Sequence, residues 1–153
     1  MSKTFIIAEA GVNHNGDLKI AKELCDAAKD VGADAVKFQT WKTEEIITRN
    51  VAQAKYQAEN TGNIESQYDM LKRLELGYDE FAEIKRYCDR IGIMFLSTAD
   101  EKDSLDFLLT LGIPYVKIGS GDIGNIPFLR YIGSKKKPVI LSTGMSNLGA
   151  IEL

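Results

Sequence analysis

Gly32-Ala33-Asp34-Ala35-Val36-Lys37-Phe38-Gln39 ends one element and begins another. Upstream of it, Leu18, Ala21, Leu24, Cys25, Ala28 and Val31 recur at helical spacing, and a glycine directly after such a pattern is the usual helix stop. Downstream, Ala35–Gln39 reads as a short strand, apolar except for Lys37 and its polar end. The same unit repeats outward in both directions, every ~25–40 residues, the size of a βα module. Thr4–Glu9 (TFIIAE) is an apolar run ending in a carboxylate. Phe81–Ile91 is helical and closed by Gly92, and Met94–Thr98 (MFLST) follows as a strand. Lys102–Leu111 is helical and closed by Gly112. Tyr115–Ile118 and Val139–Ser142 are two more strands around a helix near Pro127–Ile132.

Short apolar strands between amphipathic helices imply an α/β fold with a parallel sheet buried on both faces. Both a doubly wound sheet and a (β/α)8 barrel satisfy that pattern. The strand ends favour the barrel: Glu9, Lys37 with Gln39, Ser97 with Thr98, Lys117 with Ser120, and Ser142 with Thr143 are all polar. A barrel gathers such ends at one mouth, where barrel enzymes place their chemistry. The turn after the first strand, Gly11-Val12-Asn13-His14-Asn15-Gly16, does not fit the dinucleotide pattern G-x-G-x-x-G. A full barrel takes eight units and typically ~250 residues, so this chain is expected to supply about the first five. The connection from about Thr40 to Asp79 is long for a loop. Its stretch Glu65–Leu76 has helical spacing, which predicts a helical excursion over the barrel mouth.

The 153 residues carry a net charge of −3, with 44% hydrophobic and 27% charged residues, the profile of an ordinary globular protein. Mild acidity argues against nucleic acid as a partner, which needs clustered Lys and Arg. The one tight basic run, Lys135 to Lys137, reads as a solvated loop. No secretory signal and no membrane span are expected, since no apolar run is long enough. Cys25 and Cys88 are expected as buried free thiols of a cytoplasmic protein.

Lys37 and Lys117 lie near strand ends within strongly apolar segments, where an ammonium is costly unless it meets an anion. With the hydroxyls of Thr98, Ser120 and Ser142 they make a site for a phosphate and a carboxylate. Ser120-Gly121-Asp122 is expected to lead into a helix whose free N–H groups reinforce anion binding. Lys37 or Lys117 snorkelling outward is the plainer alternative. Glu9 can orient a hydroxyl, position water or act as a general base, or it can simply form a salt bridge to Lys37. The sole histidine, His14, sits among turn formers and reads as a satisfied loop residue. One imidazole does not make a metal site.

Five motifs, in this order and spacing, carry a family resemblance: IIAEAGVNHNGDL from Ile6, GADAVKFQ from Gly32, FLST from Phe95, YVKIGSGDIGNIP from Tyr115 and KPVILSTGM from Lys137. The chain resembles the bacterial sialic acid synthases, including legionaminate and pseudaminate synthases, over essentially its whole length. The resemblance implies a barrel followed by a small antifreeze-like domain, assembled as a domain-swapped homodimer. It implies that Lys37, Thr98, Lys117, Ser120 and Ser142 hold phosphoenolpyruvate, and that Glu9 and Gln39 line the site of an N-acetylated sugar near the reacting centre. A divalent metal, usually Mn2+ and otherwise Mg2+, is implied to polarise the sugar aldehyde. The family's two metal-binding histidines belong to the later half of the barrel, so metal ligands are not expected in this chain. Two other readings stand beside this one: a Schiff-base aldolase using Lys37 or Lys117, and a binding or assembly piece without activity of its own. The acceptor is either N-acetylmannosamine or a 6-deoxy-diacetamido sugar.

Overall fold

A computed structural model of the protein describes residues 4–49, 51 and 66–152. Its strands are β1 (Ile7–Gly11), β2 (Ala35–Thr40), β3 (Met94–Ala99), β4 (Val116–Ile118) and β5 (Val139–Leu141). They form one five-stranded sheet in chain order, every neighbouring pair parallel. A doubly wound sheet reverses its strand order at a switch point. This sheet does not, and it is the arc of the first βα units of a (β/α)8 barrel.

The helices are α1 (Leu18–Asp30), α2 (Thr43–Ile46), α3 (Gln67–Leu74), α4 (Tyr78–Ile91), α5 (Lys102–Thr110), α6 (Ile126–Ser134) and α7 (Leu148–Glu152). The Asp17 carboxylate caps α1 by accepting from the backbone N–H groups of Lys19 and Ile20, which satisfies two of the donors a helix start leaves open. Gly92 ends α4 at φ 73°, a left-handed conformation that costs a glycine little. Ala21, Cys25 and Ala28 of α1, Phe81 and Ile84 of α4, Leu105 and Leu108 of α5 and Ile132 of α6 are buried in one core with Val36, Phe38, Phe95, Val116 and Ile118 of the sheet. Phe38 is its centre, stacked on Phe95 at 6.0 Å and edge-on to Phe81 at 6.5 Å. Truncation of such a residue to alanine costs about 3–5 kcal/mol. Among the described residues no helix is long and apolar enough to cross a membrane.

Side chains alternate between the two faces of a strand, and parallel partners in register share a face. Val36 and Phe38 face the helices, so Lys37 and Gln39 face the barrel interior. The register pairs Glu9 with Lys37, Gln39 with Thr98, and Thr98 with Lys117. Periodicity and register therefore put Glu9, Lys37, Gln39, Thr98 and Lys117 on one interior face.

Four expectations need correction. The first strand is Ile7–Gly11 rather than Thr4–Glu9. The Ile6 carbonyl accepts from the Asp34 and Ala35 N–H groups, while Phe5 and Ile6 stay exposed at the sheet edge. Ser120–Asp122 forms a separate 3-10 turn, and α6 starts four residues later under its own Asn125 cap, so its N–H groups are not presented at Ser120. Lys135 is no free loop cation, because its ammonium pairs with Asp106 at 2.6 Å. Cys25 and Cys88, by contrast, are buried free thiols as expected, and their sulfurs meet at 3.5 Å across α1 and α4. Of the expected helix Glu65–Leu76, Gln67–Leu74 is helical and Glu65 lies outside the described residues. Most of the connection before it, residues 52–65, lies there too. α3 packs against α2 rather than lining the cavity at the strand ends, with Tyr68 donating to Glu44 at 3.0 Å.

Candidate anion-binding site at the strand ends

Every site residue expected from the sequence borders one cavity of about 470 Å³ at the C-terminal ends of the strands: Glu9, Lys37, Gln39, Thr98, Lys117, Ser120 and Ser142. Five arrive through the strand register and two through the loops after β4 and β5.

Lys37 is almost fully buried, at 6% exposure. Its ammonium is 2.9 Å from both carboxylate oxygens of Glu9 and donates to the Thr98 hydroxyl at 3.2 Å. The salt bridge offered as the plain role of Glu9 is thus formed, and the Glu9 side chain stays more than half exposed. Gly11 keeps that space open. A Cβ added there would lie 3.2 Å from Glu9 Oε1 and 3.8 Å from Gln39 Oε1, on a backbone at φ 52°.

Lys117 is held differently. Its ammonium donates to the Ser142 hydroxyl and to the Ile118 carbonyl, each at 2.7 Å, and among the described residues it has no carboxylate partner within ion-pair distance. Burial, and then the positive charge of Lys37, hold its pKa below the ordinary lysine value, with Glu9 opposing. Neither lysine snorkels outward.

Asp100, Asp122, Gly119 and Gly121 also border the cavity; of these, Asp100 and Gly119 are given no role by the sequence spacing. Asp100 stands two residues after Thr98, on the same face by strand alternation, so period two was the signal that could have found it. Its N–H donates to the Thr40 carbonyl at 3.1 Å, which carries the β2–β3 pairing one residue past the strand end. Burial, and then the Asp122 carboxylate, push the Asp100 acid up to about 7, against the pull of Lys37.

His14 lies outside this cavity. It is fully buried beside Phe38, and its Nδ1 accepts from the Gly16 N–H at 3.0 Å. That bond places the proton on Nε2, which has no hydrogen-bond partner among the described residues. The expected satisfied histidine is therefore only half satisfied. Burial lowers its pKa, with Glu80 opposing. Among the described residues no three His, Cys, Asp or Glu side chains converge as a metal donor set. The divalent ion implied by the resemblance thus finds no fitting set of ligands in them.

Comparison with known proteins agrees with this architecture. The chain is 49% identical over 149 residues to N,N'-diacetyllegionaminic acid synthase of Legionella pneumophila, covering 97% of this chain and 42% of that protein. It is 49% identical over 152 residues to the Campylobacter jejuni protein of the same name, covering 99% of this chain and 46% of that one. The chain thus spans less than half the length of these relatives. The crystal structure of N-acetylneuraminic acid synthetase from Leptospira borgpetersenii in complex with citrate superimposes with a TM-score of 0.83 at 34% identity, covering 99% of this chain and 48% of that one. The NeuB family model matches residues 24–153, and the chain belongs to the NeuB family.

Proposed function

We propose that this chain carries the phosphoenolpyruvate-binding part of a nonulosonic acid synthase. One observation carries the reading: two lysines and three hydroxyl side chains converge with Glu9 and Gln39 on a single strand-end cavity. Lys37, Thr98, Lys117, Ser120 and Ser142 hold the phosphate and carboxylate of phosphoenolpyruvate through charge-assisted contacts. Glu9 and Gln39 face the N-acetylated sugar. C3 of phosphoenolpyruvate attacks the aldehyde carbon of the open-chain sugar, and that oxygen takes a proton. Water adds at C2 with loss of a proton, the C2–O bond to phosphate breaks, and the new hydroxyl gives its proton to the departing phosphate, leaving the C2 ketone. The products are one nine-carbon 2-keto acid and one phosphate. Legionaminate relatives in the comparison make a 6-deoxy-diacetamido sugar a suitable acceptor beside N-acetylmannosamine. A divalent ion belongs to this proposal, but it is assigned to no residue of this chain.

The Schiff-base alternative keeps one supporting observation, the lowered pKa of Lys117, since a neutral amine is the required nucleophile. Its contacts speak for the synthase, because Ser142 and the Ile118 carbonyl hold the amine as a donor. Borohydride treatment in the presence of pyruvate separates the two readings. The synthase reading expects no mass increase on the protein and phosphate release that depends on both phosphoenolpyruvate and the sugar. A pyruvyl adduct on Lys117 would replace it with the aldolase.

A further inference from the structure

The cavity has a charge problem. Three carboxylates, Glu9, Asp100 and Asp122, border it against two ammonium groups, Lys37 and Lys117. With every group ionised the lining is net negative, yet the occupant assigned above is a polyanion. We infer that Asp100 is the group that resolves this conflict: its carboxylate takes one proton from solvent as the anion enters, so that binding and protonation are a single event. The inference rests on the anion-site reading and names the residue that couples this site to pH.

The choice among the three acids follows from their partners. Both oxygens of Glu9 are engaged at 2.9 Å by Lys37, an ammonium that protonation of Glu9 would leave buried and unpaired. Asp122 accepts from the Asn125 amide at 3.3 Å within its own turn. The Asp100 carboxyl makes no hydrogen bond among the described residues, and its environment is burial and charge alone. Asp122 and Glu101 repel its negative form, while Lys37 favours it. Glu45 and Lys102 border a second hollow that Asp100 also lines, and Glu9 and Lys117 share the cavity with it. An entering phosphate adds another negative charge beside Asp100 and engages the favourable charge of Lys37. Both effects raise the cost of an ionised Asp100. At neutral pH the protonation is within reach, since burial and Asp122 have already moved this acid up to about 7. Once neutral, the carboxyl is a donor and can itself hydrogen-bond an anionic oxygen.

The test is phosphoenolpyruvate binding to the full-length protein by calorimetry between pH 6 and 8.5, in buffers of different ionisation heat, for wild type and Asp100→Asn. Linkage predicts uptake of up to about one proton per ligand at pH 8. The wild-type Kd should rise by up to about tenfold per pH unit above 7, with a flatter profile for Asp100→Asn and equal affinities at pH 6. The ligand's own phosphate ionises near pH ~6, and both proteins share that effect. Asp122→Asn removes a repulsive neighbour and should move the onset of the wild-type rise to lower pH. It gives an independent reading should Asp100→Asn fold poorly. Binding at pH 6 with no proton uptake at pH 8 and identical pH profiles overturns the role of Asp100 while leaving the anion site standing. Absence of phosphoenolpyruvate binding by wild type at every pH overturns both.

Discussion

The two lysines of the cavity share a face and a distance from the strand ends, but they are held in opposite ways. On the β1–β2–β3 side, Lys37 is buried, paired with Glu9, and also donates to the Thr98 hydroxyl. On the β4–β5 side, among the described residues Lys117 donates to a hydroxyl and a backbone carbonyl but meets no carboxylate, and its pKa falls. A buried ammonium already matched by a carboxylate adds little net field for a ligand, whereas one without a counter-ion is complementary to an anion before it arrives. Lys37 is thus positioned by the fold, and Lys117 waits for its partner.

This contrast can be broken from either side. The largest effect is expected from Glu9→Gln in the full-length protein, which keeps side-chain size but removes charge and proton-accepting capacity. Turnover should fall by about 10²-fold, and Tm should fall as well because the buried Lys37 ammonium loses its counter-ion. Preserved turnover with a clearly lower Tm would make the pair purely structural. Next comes Lys117→Met. Loss of a charge-assisted contact costs about 1.5–3 kcal/mol, so the KM for phosphoenolpyruvate should rise about 10–100-fold. Thermal stability should hold or improve, because an unpaired, half-buried charge has gone. Lys37→Met should weaken binding too, but it should also lower Tm by removing the partner of Glu9. Identical responses of the two lysine variants would erase the distinction drawn here.

Much of this site could be read from spacing. Polar residues closing apolar strands located Glu9, Lys37, Gln39, Thr98 and Lys117, because period-two alternation and parallel register leave few other arrangements. The loops carried less signal. Ser120-Gly121-Asp122 looked like a helix start, but Asn125 supplies the competing and better-placed cap. Asp100 went unassigned because it follows the apolar run by one residue, where chain direction depends on a backbone bond to Thr40. Phe5 and Ile6 are apolar yet exposed, so hydrophobicity alone, which does not distinguish an edge from a core, starts β1 too early. The meeting of Cys25 with Cys88 depends on how α1 and α4 cross, which neither segment encodes by itself.

A smaller effect follows from Asp100 in the folding equilibrium. Its folded pKa of about 7 lies above its ordinary value of 3.8, so the neutral form favours the folded state. That contribution is fully present below about pH 4 and is lost as pH rises towards 7. Chemical denaturation of wild type across this range should show the loss, and Asp100→Asn should flatten it. An equal slope in both proteins would remove the acid from this role. The smallest expected change is Gly11→Ala, which places a Cβ in left-handed backbone and against Glu9. It should cost about 1–2 kcal/mol of stability and reduce turnover several-fold, on the Lys37 side only.

The most direct test of the anion site is a crystal structure of the full-length protein with phosphoenolpyruvate bound. The ligand's phosphate and carboxylate should lie among Lys37, Thr98, Lys117, Ser120 and Ser142, with the Lys117 ammonium within ~2.7–2.9 Å of an anionic oxygen and the Lys37–Glu9 pair intact. A ligand ordered elsewhere on the protein, with this cavity filled only by water, would contradict the account.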